Sequence, residues 1–216
     1  MDIPTNWTFK SDHVAEHFDE HVREQLPWYD LATFATEQIA RHYITQRALV
    51  YDIGCATGNI GRALAATIRD RDATLCAIDD SEEMSTRYAG PGSITICPAQ
   101  DFAYEPFDLA VCFLTLMFLP FEDRHHLVRG LVEKCKRGGA VLIVDKFEAE
   151  GGYLATALWR LTLAGKRKAG VADAEILEKE MSLIGVQRPT PVSMLPNAVE
   201  FFRFGDFRGY VIEGAV

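Results

Sequence analysis

The sequence predicts an α/β fold: a Rossmann-like, mostly parallel sheet of seven strands ending in an antiparallel hairpin, with helices ahead of it and a helical insertion near its end. Three observations carry that expectation. A short apolar run, Ala48 to Tyr51, ends in Asp52 and passes directly into Gly54 and Gly58, the pattern of a buried strand, a tight turn and a helix start. Four more strand-like runs follow with helical patterns between most of them, as a parallel sheet requires. The tail alternates over Val199 to Phe204 and again over Phe207 to Ile212, and Gly205-Asp206 between them is a two-residue hairpin connection.

Taken in order, Asp12 to Gln25 places Val14, Ala15, Phe18 and Val22 at helical spacing. His13, His17 and His21 share one face of that helix at metal-like spacing, but without a cysteine or clear acidic partner they are expected to form a solvated stripe, and no metal is expected. Pro27 breaks the helix before Trp28-Tyr29 and a second helical pattern, Leu31 to Tyr43. Tyr29 is either a packing residue at this junction or part of a lid over a pocket. After the glycine turn, Ile60 to Arg69 is the first crossover helix, and Ala73 to Ile78 is a second strand ending at Asp79. Ser81 is an N-cap with Glu82 and Glu83 in the first turn of a helix through Tyr88, and Ser93 to Cys97 is the third strand. Phe107 to Cys112 is the fourth, Phe121 to Cys135 a helix ended by Lys136-Arg-Gly-Gly139, and Ala140 to Val144 the fifth. Tyr153 to Ala164 and Asp173 to Gly185 are helices outside the alternation, expected to cover the site or make a dimer contact; Lys166-Arg-Lys168 between them is expected to be a solvated turn.

At 216 residues and 48% hydrophobic, the chain is expected to form one domain over 1–216, with 1–46 as a helical cap and 151–186 as the insertion. A formal net charge of −9 argues against a general nucleic-acid or anionic-membrane binder and leaves a small molecule as the expected partner. The five scattered cysteines suit a reduced, cytoplasmic chain, the polar N-terminus shows no signal-peptide pattern, and the longest apolar stretch, Leu109 to Phe121, is too short to span a bilayer.

The glycine turn is a cofactor loop. A dinucleotide turn wants glycines where this chain has Gly54, Ala56 and Asn59, and Asp52 at the strand end would repel a pyrophosphate. A carboxylate there suits a cation, and S-adenosylmethionine (SAM) carries an α-ammonium and a sulfonium. Asp79, at the end of the second strand, stands where an acidic residue accepts from ribose hydroxyls. Asp101 and Phe102 follow the third strand, where a loop of this kind borders adenine; a surface turn is the other reading of Asp101. Ligands of open α/β sheets bind at the carboxyl ends of the strands, which places Phe113 to Thr115 and Asp145-Lys146-Phe147-Glu148 at the transfer site, with Lys146 either facing substrate or pairing with a neighbouring acid.

Beyond this class I methyltransferase pattern, the chain resembles the carboxy-SAM synthases, a branch of that fold involved in wobble-uridine modification of tRNA. The resemblance rests on Val14-Ala-Glu16 with Phe18, Pro27 with Tyr29, Tyr51-Asp-Ile-Gly-Cys55, Ala77-Ile-Asp-Asp-Ser81 with Met84, and Lys146-Phe147. Lys166-Arg-Lys-Ala169 and Glu175-Ile176 with Met181 extend it. It implies SAM or carboxy-SAM as the cofactor, adds Cys55, Ala56, Asp80 and Met84 to the cofactor set, and implies that SAM and prephenate would give carboxy-SAM and phenylpyruvate. Two departures bear on the site. Phe113 stands where the family has an asparagine, and the short, proline-rich stretch 185–197 carries only Arg188 where a basic segment is expected to hold the carboxyl group of carboxy-SAM. An apolar site discriminates poorly for a carboxylate. The expectation is therefore a SAM-dependent methyltransferase for a small acceptor bordered by Tyr29, Phe113, Lys146 and Arg188, with carboxy-SAM synthesis and non-catalytic SAM binding as alternatives.

Overall fold

The computed structural model describes residues 3–149 and 151–214, and in them a seven-stranded sheet of order β3-β2-β1-β4-β5-β7-β6. β1 (Leu49–Ile53), β2 (Thr74–Asp79), β3 (Ser93–Ile96), β4 (Phe107–Phe113) and β5 (Cys135–Lys146) pair in parallel. β7 (Phe207–Glu213) runs antiparallel to β5 and to β6 (Val199–Phe204), so the hairpin closes one edge as its Gly-Asp connection predicts.

The central strands β1, β4 and β5 are buried on both faces over most of their length, and their two-residue period divides the core. Val50, Leu109, Val111 and Leu142 face α2 (Tyr29–Ala40) and α3 (Asn59–Asp70), where they meet Ala32, Ile60 and Leu64. Tyr51, Ile53, Ala110, Cys112 and Ile143 face the other way and meet Leu127, Val128 and Leu131 of α5 (Phe121–Lys134). The chain leaves β1 in one direction for β2 and β3 and in the other for β4 and β5. That reversal opens a crevice between the carboxyl ends of β1 and β4. α1 (Asp12–Gln25) and the pair α6 (Tyr153–Lys168) and α7 (Asp173–Ser182) lie over it.

Three elements differ from the sequence expectation. The helix expected through Tyr88 is the single turn α4 (Glu82–Ser85), with Ser81 Oγ accepting from the Met84 amide at 3.1 Å as an N-cap. Ala89 N instead bonds Thr57 O at 3.0 Å and Tyr88 Oη bonds Pro91 O at 2.8 Å, which draws the chain off the helix axis onto the glycine turn. β5 starts at Cys135 because Cys135 pairs with Phe107 of β4, so Lys136 to Gly139 lead into the strand and do not form a helix exit. α6 continues through Lys166-Arg-Lys168, whose cations favour a helix C-terminus, so this cluster is not a turn. No helix among the described residues is long and apolar enough to cross a membrane.

Candidate functional site

A cavity of about 530 Å³ occupies the crevice and extends under α6 and α7. Its volume is in the range of sites that enclose a cofactor-sized molecule.

One end is acidic. Asp52 is buried at the end of β1, and its Oδ2 accepts from the Gly61 amide in the first turn of α3 at 3.0 Å. Burial pushes this carboxyl up to about 7 against the opposing pull of that amide. Asp79 accepts from Ala56 N at 2.8 Å and from Ser81 N at 3.0 Å, which aims its carboxylate across the glycine turn; burial also raises its pKa. Asp80 pairs with Lys10 at 2.9 Å, and Met84 lies beneath.

The amides of the turn are engaged inside the protein. Gly54 N and Cys55 N both bond Ile78 O, Ala56 N bonds Asp79, and Gly58 N bonds Cys55 O. The turn therefore supplies shape and carboxylates, with these N–H groups turned away from any anion, in contrast to a phosphate cradle. Gly54 is required for that shape: its φ is 68°, and a Cβ would lie 2.5 Å from the Thr115 side chain. The donor set fits SAM. Asp52 would pair with its cationic end and Asp79 would accept from its ribose. Gln100 Oε1, buried in the wall without a hydrogen-bond partner among the described residues, would take an exocyclic amine.

Beyond the acidic end the wall is apolar. Tyr29 and Phe113 meet edge to face at 5.4 Å between ring centroids, and burial raises the Tyr29 pKa, so this phenol stays neutral. The far end is basic. Lys146 Nζ donates to Gln187 Oε1 at 3.0 Å, Lys166 pairs with Glu180 at 3.0 Å, and Lys179 Nζ rests on the ring of Trp7. Burial pushes Glu180 up, but Lys166, Lys146 and Lys179 outweigh it and hold this carboxyl below its ordinary value. Lys179 is lowered to about 6, by burial first and then by Lys166.

The structure thus brings Tyr29, Asp52, Gly54, Cys55, Ala56, Asp79, Asp80, Met84, Phe113 and Lys146 to one cavity. Four expected residues lie off it. Gly58 caps α3 at φ 92° with its Cα hydrogens against Tyr88 and Gly90, so its place is in turn packing. Asp101 is exposed, and Phe102 packs on Tyr51 and Tyr104 at the opposite face of the sheet. The 3-10 turn Ala99–Asp101 presents Ala99 and Gln100 to the cavity in their place. Arg188 stacks its guanidinium over Phe121 at 4.6 Å and donates its backbone N–H to Met117 O, which leaves the neighbouring Gln187 facing inward.

Other groups are not expected at the site from the sequence, which reads Lys166 and His21 as solvated. Lys166, Lys179 and Glu180 lie in a polar helical pattern whose inward face only α1 and the N-terminal segment define. His21, expected on a solvated stripe, is buried against Trp7, with ring centroids 5.3 Å apart. Burial and then Lys179 depress its pKa to about 3. Arg124 reads as a surface residue of an amphipathic helix, yet it is buried and donates to the carbonyls of Leu119, Met117 and Arg188, fixing the loop that forms the apolar wall.

Residues 51–143 match the family model of a methyltransferase domain. The chain is 27% identical over 208 residues to a carboxy-S-adenosyl-L-methionine synthase of Staphylococcus epidermidis, covering 94% of this chain and 91% of that protein. It is 29% identical over 189 residues to the synthase of the same name from Shewanella oneidensis, covering 83% and 78%. Among solved structures, human N-acetylserotonin methyltransferase in complex with SAM superposes with a TM-score of 0.61 at 11% identity, over 96% of this chain and 58% of that one. A putative SAM-dependent methyltransferase from Methanococcus maripaludis superposes with a TM-score of 0.58 at 19% identity, over 100% and 98%. With the strand order, the acidic turn and the family match in agreement, this chain is a SAM-dependent methyltransferase-fold protein, similar over most of its length to carboxy-SAM synthases.

Proposed function

We propose that this protein transfers the methyl group of SAM to a small acceptor with an apolar body, bound between Phe113 and Lys146. The observation that carries the proposal is the division of one cavity into an acidic end built on main-chain amides and a separate end lined by aromatic and basic side chains. Bound at the acidic end, SAM supplies an electrophilic methyl group on a sulfonium. Asp52 and Asp79 orient it, while Tyr29 and Phe113 keep water from the reacting centre and hold the acceptor in line. Lys146, at the carboxyl end of β5, faces the acceptor and is kept in position by Gln187. α1 and the α6–α7 insertion act as the cover of a single SAM-binding domain. Five free cysteines support a cytoplasmic location, and the exposed side chains of Tyr153, Leu154 and Trp159 on α6 support a homodimer.

A second reading, carboxy-SAM synthesis linked to tRNA modification, is supported by the names of the relatives and by three lysines set around one carboxylate at the basic end. Of those lysines, Lys146 and Lys166 supply the cationic surface that Arg188 does not. Mass spectrometry of the small molecule that co-purifies with the protein separates the two. SAM or S-adenosylhomocysteine is the expected result, and carboxy-SAM would establish the second reading. Conversion of SAM to S-adenosylhomocysteine in the presence of candidate acceptors tests catalysis itself; its absence across a broad acceptor panel would leave a SAM-binding protein without turnover.

A further inference from the structure

Where α1 crosses α7, three side chains converge without bonding one another. His21 is 3% exposed, and neither ring nitrogen has a hydrogen-bond partner among the described residues. Glu24, three residues on along α1, and Glu175 of α7 bring one carboxylate oxygen each to the same point, and these oxygens and an imidazole nitrogen all lie within 4.8 Å of one another. Gln25 completes the group. Its Nε2 donates to Glu175 Oε1 at 2.8 Å, which steadies that carboxylate, while its own Oε1 is buried without a partner among the described residues.

This arrangement is unfavourable as it stands. A buried imidazole without a partner carries an uncompensated desolvation cost, and the two carboxylates, Glu24 exposed and Glu175 half-buried, repel each other at this separation to the extent that solvent leaves them unscreened. A histidine placed so close to two acceptors ordinarily donates to one of them, and this one does not. Two lysines of the same insertion are engaged elsewhere: Lys166 is held by Glu180 at 3.0 Å, and Lys179 rests on Trp7. One ion placed between the three groups would satisfy the imidazole nitrogen and both carboxylates together.

We propose that His21, Glu24 and Glu175 form a binding site for a divalent transition-metal ion, Zn²⁺ or Mn²⁺. One imidazole nitrogen and two carboxylate oxygens form a mixed donor set that borderline Zn²⁺ and harder Mn²⁺ both accept, and Gln25 lies beside it through its bond to Glu175. The site ties the N-terminal cap to the insertion. Among the described residues, the hydrogen bonds across that seam are Gln25 to Glu175 and Trp7 N to Ser182 O at 3.0 Å, so the ion would clamp the cover of the cavity. The proposal stands apart from the assignment of SAM.

The test is calorimetric titration of the chelator-stripped full-length protein with Zn²⁺ and, separately, Mn²⁺, with thermal unfolding followed in parallel. One equivalent of one of these ions is expected to bind and to raise Tm, since a ligand that binds only the folded state stabilises it. Glu175→Gln and His21→Ala are each expected to weaken binding by about tenfold or more, the range seen when one group of a metal site is altered. Because His21→Ala also disturbs the packing of Trp7, Glu24→Gln serves as the gentler variant: it should weaken the ion several-fold while SAM affinity stays unchanged. No stoichiometric binding of either ion, or binding unaltered in Glu24→Gln and Glu175→Gln, would overturn the site. SAM affinity measured on the same samples keeps a failure of this site distinguishable from a failure of the methyltransferase reading.

Discussion

The end of the cavity formed by β1, β2 and the glycine turn carries Asp52 and Asp79, whereas the end covered by α6 and α7 carries Lys146, Lys166 and Lys179. The two ends are held differently. Each carboxylate accepts from main-chain amides, Asp52 from Gly61 at the start of α3 and Asp79 from Ala56 of the glycine turn and Ser81 at the N-cap of α4, all in segments that follow directly on β1 and β2. The lysines are held only through side chains: Lys166 by Glu180, Lys146 by Gln187 and Lys179 by the face of Trp7. An end fixed by the backbone is preorganised for one ligand, which suits an invariant cofactor. An end fixed by side chains on packed helices can be changed residue by residue, which suits a variable acceptor.

The largest expected effect breaks the rigid end. Gly54→Ala forces a non-glycine residue into positive φ and drives a Cβ into Thr115, and it should destabilise the fold by roughly 3 kcal/mol in denaturant unfolding. The same methyl group added at Gly170, where φ is 96° but nothing lies within 4 Å, should cost only the backbone part, about 1–2 kcal/mol. Next comes Asp79→Ala, expected to weaken SAM binding by on the order of 1.5–3 kcal/mol through loss of charge-assisted hydrogen bonds. Calorimetry that found an unchanged Kd would remove SAM from this end of the cavity.

At the basic end, paired and unpaired lysines should behave oppositely. Lys166→Met strands Glu180, which remains partly exposed, and should destabilise by about 1–2 kcal/mol; Lys179→Met removes a buried amine resting on Trp7 whose charge burial disfavours, and should be neutral or stabilising by up to about 1 kcal/mol. Equal losses for the two would show that Lys179 has a charged partner in solution.

The smallest effect is one of pH. The Asp52 carboxyl titrates near 7 in the fold against 3.8 ordinarily, so between about pH 4 and pH 7 the folded state holds the extra proton and stability falls as pH rises. The cationic end of SAM needs the ionised form. Its affinity should therefore increase a few-fold from about pH 6 to about pH 7.5, and Asp52→Asn should abolish that increase.

The acidic end was legible in the sequence because strand ends are. Asp52 and Asp79 each close an apolar run, and the glycines after Asp52 leave a turn as the only continuation, so their meeting follows from local pattern and parallel pairing. The same local reasoning failed one strand later, since nothing in Gln100-Asp101-Phe102 says which residue a 3-10 turn will point inward, and Gln100 took the place expected of Asp101. It failed again at Arg188, where the choice between Gln187 and Arg188 was made by Phe121 and Met117 from another element.

By itself the sequence determined the strands and helices of a mostly parallel α/β sheet, the hairpin at its end and the acidic cofactor turn, because hydrophobic period, glycine and strand-end carboxylates act over a few neighbouring residues. Tertiary structure alone decided the basic end and the cluster at His21. Lys166, Lys179, His21 and Glu175 are polar residues whose type assigns them to the solvated face of their helices, and only the packing of α1 and the N-terminal segment against the insertion determines which of those side chains leaves the solvent.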